Sequence, residues 1–199
     1  MSEEPVSAAV TPDEVMPGET LRGRDLLGLP VYSIKEGKHL GKISGLLVQR
    51  EDCSVPVISI QPSGMGRESF VPYTAMITVG VDIVLLERQD VLLNEVSVEV
   101  RKGLDTGVPG RAVITQSGER AGSIVGFGID TVSGRIDFFR VEASTNFLGK
   151  LTSLVKDTTV EIPRSLVISL GPDAVIVQDS VQELLHPSAT DASPESPLT

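Results

Sequence analysis

The sequence predicts an all-β protein made of two tandem small β-barrels, with a short helix in the second and acidic tails at both ends. Three observations lead there. The apolar residues come in short runs rich in Val, Ile and Leu, each bounded by Gly, Pro, Asp or Ser. The pattern of residues 32–48, YSIKEGKHLGKISGLLV, returns 81 residues later as VITQSGERAGSIVGFGI, 113–129. A second block, VPYTAMITVGVDIVLLE at 71–87, returns 91 residues later as IPRSLVISLGPDAVIVQ, 162–178. Two blocks repeated in the same order mark two copies of one unit.

The chain divides accordingly. Residues 1–20 hold five acids and no Lys or Arg, and residues 186–199 hold two acids and no Lys or Arg. Both are rich in Pro, Ser, Ala, Thr and Glu, and both are expected to be disordered tails. The first unit is 21–97, the linker 98–103 and the second unit 104–185. In the first unit, strands are expected at VYSI (31–34), KISGLLVQR (42–50), VPVISIQ (55–61), ESFVP (68–72), AMITVG (75–80) and IVLLE (83–87). Gly37 aligns with Gly118, Gly41 with Gly122, Gly45 with Gly126 and Gly80 with Gly171, while Pro72 falls on Pro163. EGKHLG places His39 in a turn. DTVSGR, 130–135, reads as a hairpin loop with Gly134 in the left-handed position. RIDFFRVE, 135–142, has no clean face: Ile136, Phe138 and Arg140 share one side, Asp137, Phe139 and Val141 the other. Six short strands in so few residues leave exposed edges unless the sheet closes, which is the argument for barrels.

The second unit is longer by ten residues, all between the two blocks, in ASTNFLGKLTSLVKD, 143–157. Phe147, Leu148, Leu151, Leu154 and Val155 recur at helical spacing, with Lys150 and Lys156 off the stripe. Gly149 inside costs about 1 kcal/mol relative to Ala, so this helix needs a surface to pack on. Its readings are a cover for its own barrel, a docking element for a partner through Phe147, Leu148, Lys150, Leu151, Leu154 and Lys156, and docking on a membrane surface, for which two lysines are a weak signal.

With these residues in hand, the chain resembles the PRC-barrel domain. The resemblance rests on the strand entry LLGLPVYS, a hairpin with two spaced glycines, a hydrophobic strand pair and the close VPYTAMITVGVDIVLLE, all found twice. It implies a fold and a binding or assembly role, and carries no catalytic motif. PRC barrels form the cytoplasmic part of the H subunit of purple bacterial reaction centres. They also form the C-terminal domain of a bacterial ribosome-maturation factor. This chain has neither the membrane helix of the first nor the differently built N-terminal barrel of the second.

Charge and composition narrow the function classes. The net charge is −10, of which the tails carry −7, so residues 21–185 are near balance. There is no basic excess to neutralise phosphates, which argues against DNA as a main partner. Aromatics are 4% with no Trp, few for stacking on bases. The single Cys53 cannot form an internal disulfide and suits a reducing cytoplasm. No apolar stretch approaches the ~20 residues of a membrane span, and residues 1–20 do not read as a signal peptide.

Catalytic chemistry finds no foothold. His39, His186 and Cys53 lack metal-ligand spacing to one another. No Ser or Cys has a base in view, and the neighbours Glu51 and Asp52 read as solvated loop carboxylates. PSGMGRES, 62–69, is Gly-rich with Arg67 following, but it lacks the Lys-Ser or Lys-Thr of a phosphate-binding loop and reads as a hairpin connection. The expectation is a non-catalytic cytoplasmic adaptor of bacterial type that binds another protein, without cofactor or metal. The alternative is an RNA- or ribosome-associated maturation factor. The partner's identity and the oligomeric state are not encoded in these patterns. Tandem copies of this kind are expected to pack about a pseudo-twofold, like a fused homodimer.

Overall fold

A computed structural model describes residues 19–64, 66–97, 101, 104–144 and 159–185. The remaining residues include 1–18 and 186–199 of the expected tails and the whole 145–158 segment; Thr20, expected in the N-terminal tail, instead begins a strand held by pairing with Asp130. The expected helix and its candidate docking residues, Phe147, Leu148, Lys150, Leu151, Leu154 and Lys156, therefore lie outside the described residues.

The architecture is all-β: two seven-stranded sheets with the same topology. In the first half β2 (Pro30–Ser33), β3 (Lys38–Gln49), β4 (Ser54–Pro62), β5 (Ser69–Pro72), β6 (Met76–Val79) and β7 (Val84–Leu86) run in the spatial order β5-β4-β3-β2-β7-β6. In the second half β9 (Ala112–Thr115), β10 (Arg120–Asp130), β11 (Ile136–Ala143), β12 (Thr159–Pro163), β13 (Val167–Leu170) and β14 (Ala174–Val177) take the order β12-β11-β10-β9-β14-β13. In each half the last strand returns parallel to the first, β7 beside β2 and β14 beside β9. A short 3₁₀ turn follows the repeated proline in each half, Tyr73–Ala75 and Arg164–Leu166. The helices are short: α1 (Gly23–Leu26) and α2 (Val181–Leu185).

The sequence repeat is a repeat of atomic interactions. Gly28 N–H donates to Ile43 O at 2.8 Å, and Gly110 N–H to Ile124 O at 2.7 Å. Gly80 N–H donates to Ile83 O at 3.0 Å, and Gly171 N–H to Ala174 O at 2.9 Å. Gly41 and Gly122 are both required by close approach. A Cβ there would come within 2.3 Å of Gln61 O and 2.1 Å of Glu142 O respectively. Gly45 and Gly126 sit at matching β-bulges, between Ile43 and Gly45 and between Ile124 and Gly126.

The two halves do not stand apart. β1 (Thr20–Arg22), which leads into the first half, pairs with β10 of the second, with Leu21 opposite Ile129. β8 (Leu104–Asp105), which leads into the second half, pairs with β3 of the first, with Leu104 opposite Gln49. Each half thus lends its leading strand to the other. The hairpin loops also meet. Ser54 bridges Arg135, Val55 N–H donates to Gly134 O at 2.8 Å and Ile136 N–H to Cys53 O at 2.9 Å. Ser54 and Arg135 are 81 residues apart, and the same shift carries the Val55–Gly134 bond onto the Ile136–Cys53 bond, so the contact is its own image under the repeat. The expected pseudo-twofold pairing is what these contacts describe, and β8 makes part of the connection structural.

One hydrophobic cluster runs from Leu26 to Val181 through both halves. Leu26, Ile58, Ile60 and Leu86 from the first half and Ile124, Ile129, Ile136, Phe139 and Ile162 from the second are almost wholly excluded from solvent. Each such side chain contributes about 1.5–3 kcal/mol by burial. A smaller cluster of Leu47, Val57, Phe70 and Val96 lies on the outer wall of the first sheet. There Leu93 and Phe70 exchange backbone hydrogen bonds of 2.7 and 2.8 Å, which covers the edge strand β5.

Two local expectations are corrected. His39 is on β3, opposite Tyr32, and not in the turn, because the tight turn closes at Gly37. The mixed faces of residues 135–142 are explained by a register shift opposite Gly128 and Ile129. It makes Asp137 an extra residue and returns Ile136 to the core beside Phe139 and Val141. Gly134 is left-handed, φ +70°, as its place in the hairpin loop implies.

Candidate functional site

The exchange of leading strands leaves a cleft of about 600 Å³ where α1, β3, β4, β5, β8 and β10 meet. The two bulges face it through Gly45 and Gly126. At Gly45 the bulge brings the backbone so near Ser59 that a Cβ would lie 2.7 Å from its Oγ. Larger residues there would fill the cleft from within.

Its wall is partly apolar, formed by Leu46, Phe70 and Phe127, with Leu27 and Val125 exposed at the mouth. Its polar groups are tied down. Ser44 Oγ lies 2.9 Å from Ser59 Oγ and 2.8 Å from Glu68 Oε1. The Arg101 guanidinium stands 5.8 Å from the Phe70 ring centroid. Asp105, on β8, pairs with Arg111 and accepts from Gly107 N–H at 2.9 Å. Arg111 also donates to Gly107 O at 3.1 Å and Gly171 O at 2.6 Å. Partial burial pushes the Asp105 carboxyl up, but the bonds from Arg111 and Gly107 outweigh it and hold the carboxyl below its usual range. Asp105 therefore clamps a strand bound to the first half onto the second.

The residues weighed from the sequence are scattered. The His39 ring lies tilted at 46° against Tyr32, centroids 4.9 Å apart, with Nδ1 3.0 Å from Ser63 Oγ. Cys53 is buried at the hairpin contact, and burial pushes its thiol up against the opposing influence of Arg164. Such a thiol is inert. Asp52 accepts a bond from Ser54 Oγ at 2.8 Å, and its backbone oxygen accepts from Arg164 Nε at 3.1 Å. Arg67 is exposed in the β4–β5 connection. Among the described residues no three His, Cys, Asp or Glu side chains gather at metal-binding distance. No described helix is long and apolar enough to cross a membrane.

The cleft itself was not singled out in the sequence. Its one visible trace is the repeated glycine pair, Gly45 and Gly126, whose role as facing bulges appears only once the halves are docked.

Residues 18–97 match the family model described as PRC-barrel domain, so the first half is a PRC-barrel domain. The second half reproduces its strand order. No curated protein matches the chain.

Proposed function

We propose that this chain, a PRC-barrel domain joined to a second half of the same topology, is a non-catalytic cytoplasmic protein-binding module that docks a partner protein in the junction cleft. The observation that carries the reading is the cleft: both halves line it, and its size suits a few anchoring side chains of a partner. The apolar wall of Leu46, Phe70 and Phe127 would take an apolar anchor, and Ser44, Ser59 and Glu68 would orient the backbone beside it. Glu68 is engaged by Ser44 and Asp105 by Arg111, so neither carboxylate stands as a free general base. That favours binding over turnover.

The test is affinity purification of the tagged chain from its own cells, followed by mass spectrometry. Val125→Glu places a charge at the mouth, where Val125 is 45% exposed. A partner recovered with the unaltered chain and lost with Val125→Glu supports the cleft. A variant lacking residues 145–156 asks separately whether Phe147 and its neighbours also dock. A partner retained by Val125→Glu refutes the cleft. Enrichment of ribosomal proteins that weakens with salt replaces the reading with the maturation-factor alternative.

A further inference from the structure

Beside the junction cleft, on the outer wall of the second half, lies a recess of about 220 Å³. Three arginines line it: Arg22 from β1, Arg24 from α1 and Arg140 from β11, with Glu142 and Thr159 opposite. Each comes from a different element, and two of the three arrive through the strand exchange.

Arg140 carries the argument. Its Nε is buried and has no hydrogen-bond partner among the described residues. Glu161 Oε1 stands 3.7 Å from it, too far for a hydrogen bond, and is half exposed. Buried donors of a charged group are almost always satisfied, so an orphan one marks a missing acceptor. The repeat sharpens this. The counterpart of Arg140, 81 residues earlier, is Ser59, whose hydroxyl is satisfied by Ser44 at 2.9 Å. Around Ser59 stand Leu47 and Phe70, which line the junction cleft with it, and Val57, which packs in the same cluster. Their counterparts in the second half are Gly128, Glu161 and Phe138. The wall carries Leu47, Val57 and Phe70 around a serine in one half, and Gly128, Phe138 and Glu161 around an arginine in the other.

We propose that this recess binds an oxyanion, the phosphate or carboxylate group of a ligand, with the Arg140 guanidinium as its main donor and Arg22 and Arg24 closing the rim. A water could accept from Nε but would not offset the charges of three arginines lining one recess. Among the described residues Glu142 is the one carboxylate in the lining. Asp25, 3.5 Å from Arg24 Nε, and Glu161 lie outside it and are more than half exposed, where solvent screens them. The planar fork of arginine matches the edge of a carboxylate or phosphate. This assignment does not rest on the docking proposal, although the two sites share Arg24, Val125, Gly126 and Phe127 in their linings.

The test uses the full chain, with inorganic phosphate and succinate as separate probes and chloride holding the ionic strength. The readout is the NMR correlation of each arginine Nε–H. Saturable displacement of the Arg140 signal by either probe, absent with chloride alone, is the expected result, and the probe that produces it identifies the anion's chemistry. Arg140→Gln and Arg22→Gln each weaken the binding about tenfold or more, the scale of losing a charge-assisted pair. Arg67→Gln, in the β4–β5 connection, leaves it unchanged. No saturable displacement with either probe, or equal weakening by Arg67→Gln, overturns the assignment. Arg22 is exposed, so Arg22→Gln keeps the test decisive if Arg140→Gln proves poorly folded.

Discussion

Gly134→Ala probes the contact between the halves at a single atom. Gly134 belongs to the second half, has φ +70°, and faces the Tyr73 ring of the first half. An added Cβ would sit 2.8 Å from the ring atoms. The ring cannot easily retreat, because Tyr73 is only 4% exposed and its hydroxyl donates to Thr131 O at 3.1 Å. Two costs follow. The left-handed backbone costs an alanine about 1 kcal/mol, and overpacking a buried contact costs about 1–3 kcal/mol. The sum is about 2–4 kcal/mol. Gly118→Ala is the control: its φ is +90°, and nothing lies within 4 Å of the new Cβ. It should cost only the backbone part, about 1 kcal/mol. Urea unfolding of both variants gives the difference, which is the price of the inter-half contact alone. Equal destabilisation by the two substitutions would refute the reasoning.

Other outcomes follow from the same contacts. Asp105→Asn, which removes the charged partner of Arg111, should destabilise the chain by about 1.5–3 kcal/mol, read by urea unfolding. The Asp105 carboxyl is held below its usual range when folded, so its contribution is present above the unfolded value near 4 and is lost as pH falls below it. The unaltered chain should therefore lose stability in acid more steeply than Asp105→Asn does. Burial, and then the Asp130 charge, push the Tyr73 phenol up from its ordinary value. Its contribution is intact below about pH 10 and is lost as pH rises beyond it, so Tyr73→Phe should flatten the alkaline fall measured by thermal unfolding. Thr131 N–H donates to Glu19 O, and the antiparallel alternation makes Leu21 and Ile129 the next hydrogen-bonded pair. Leu21→Pro removes that donor and should speed hydrogen exchange along residues 128–130, in the half to which Leu21 does not belong by sequence.

The strands of each half were legible because their signals are local. Gly37 and Gly118 end tight turns, Pro72 and Pro163 open the 3₁₀ turns, and apolar runs between them have room for one short strand each. The exchange of β1 and β8 was not legible. Two or three residues carry no period of their own, and their pairing is decided by strands more than fifty residues away. His39 was misplaced because the charged run around it resembles a turn, while its place is fixed by pairing with Tyr32. The cleft and the arginine recess depend on which half's wall faces which, so Arg22, Arg24 and Arg140 look unrelated in the chain. Only the departure from the repeat, Arg140 where the first copy has Ser59, was there to be read.

The central claim is that the two halves form one folding unit through reciprocal strand exchange and a shared core. Differential scanning calorimetry of the full chain tests it most directly. One transition, with calorimetric and van't Hoff enthalpies equal, is the predicted result. Two separable transitions, or a calorimetric enthalpy about twice the van't Hoff value, would mean that the halves fold as independent barrels and would contradict the account.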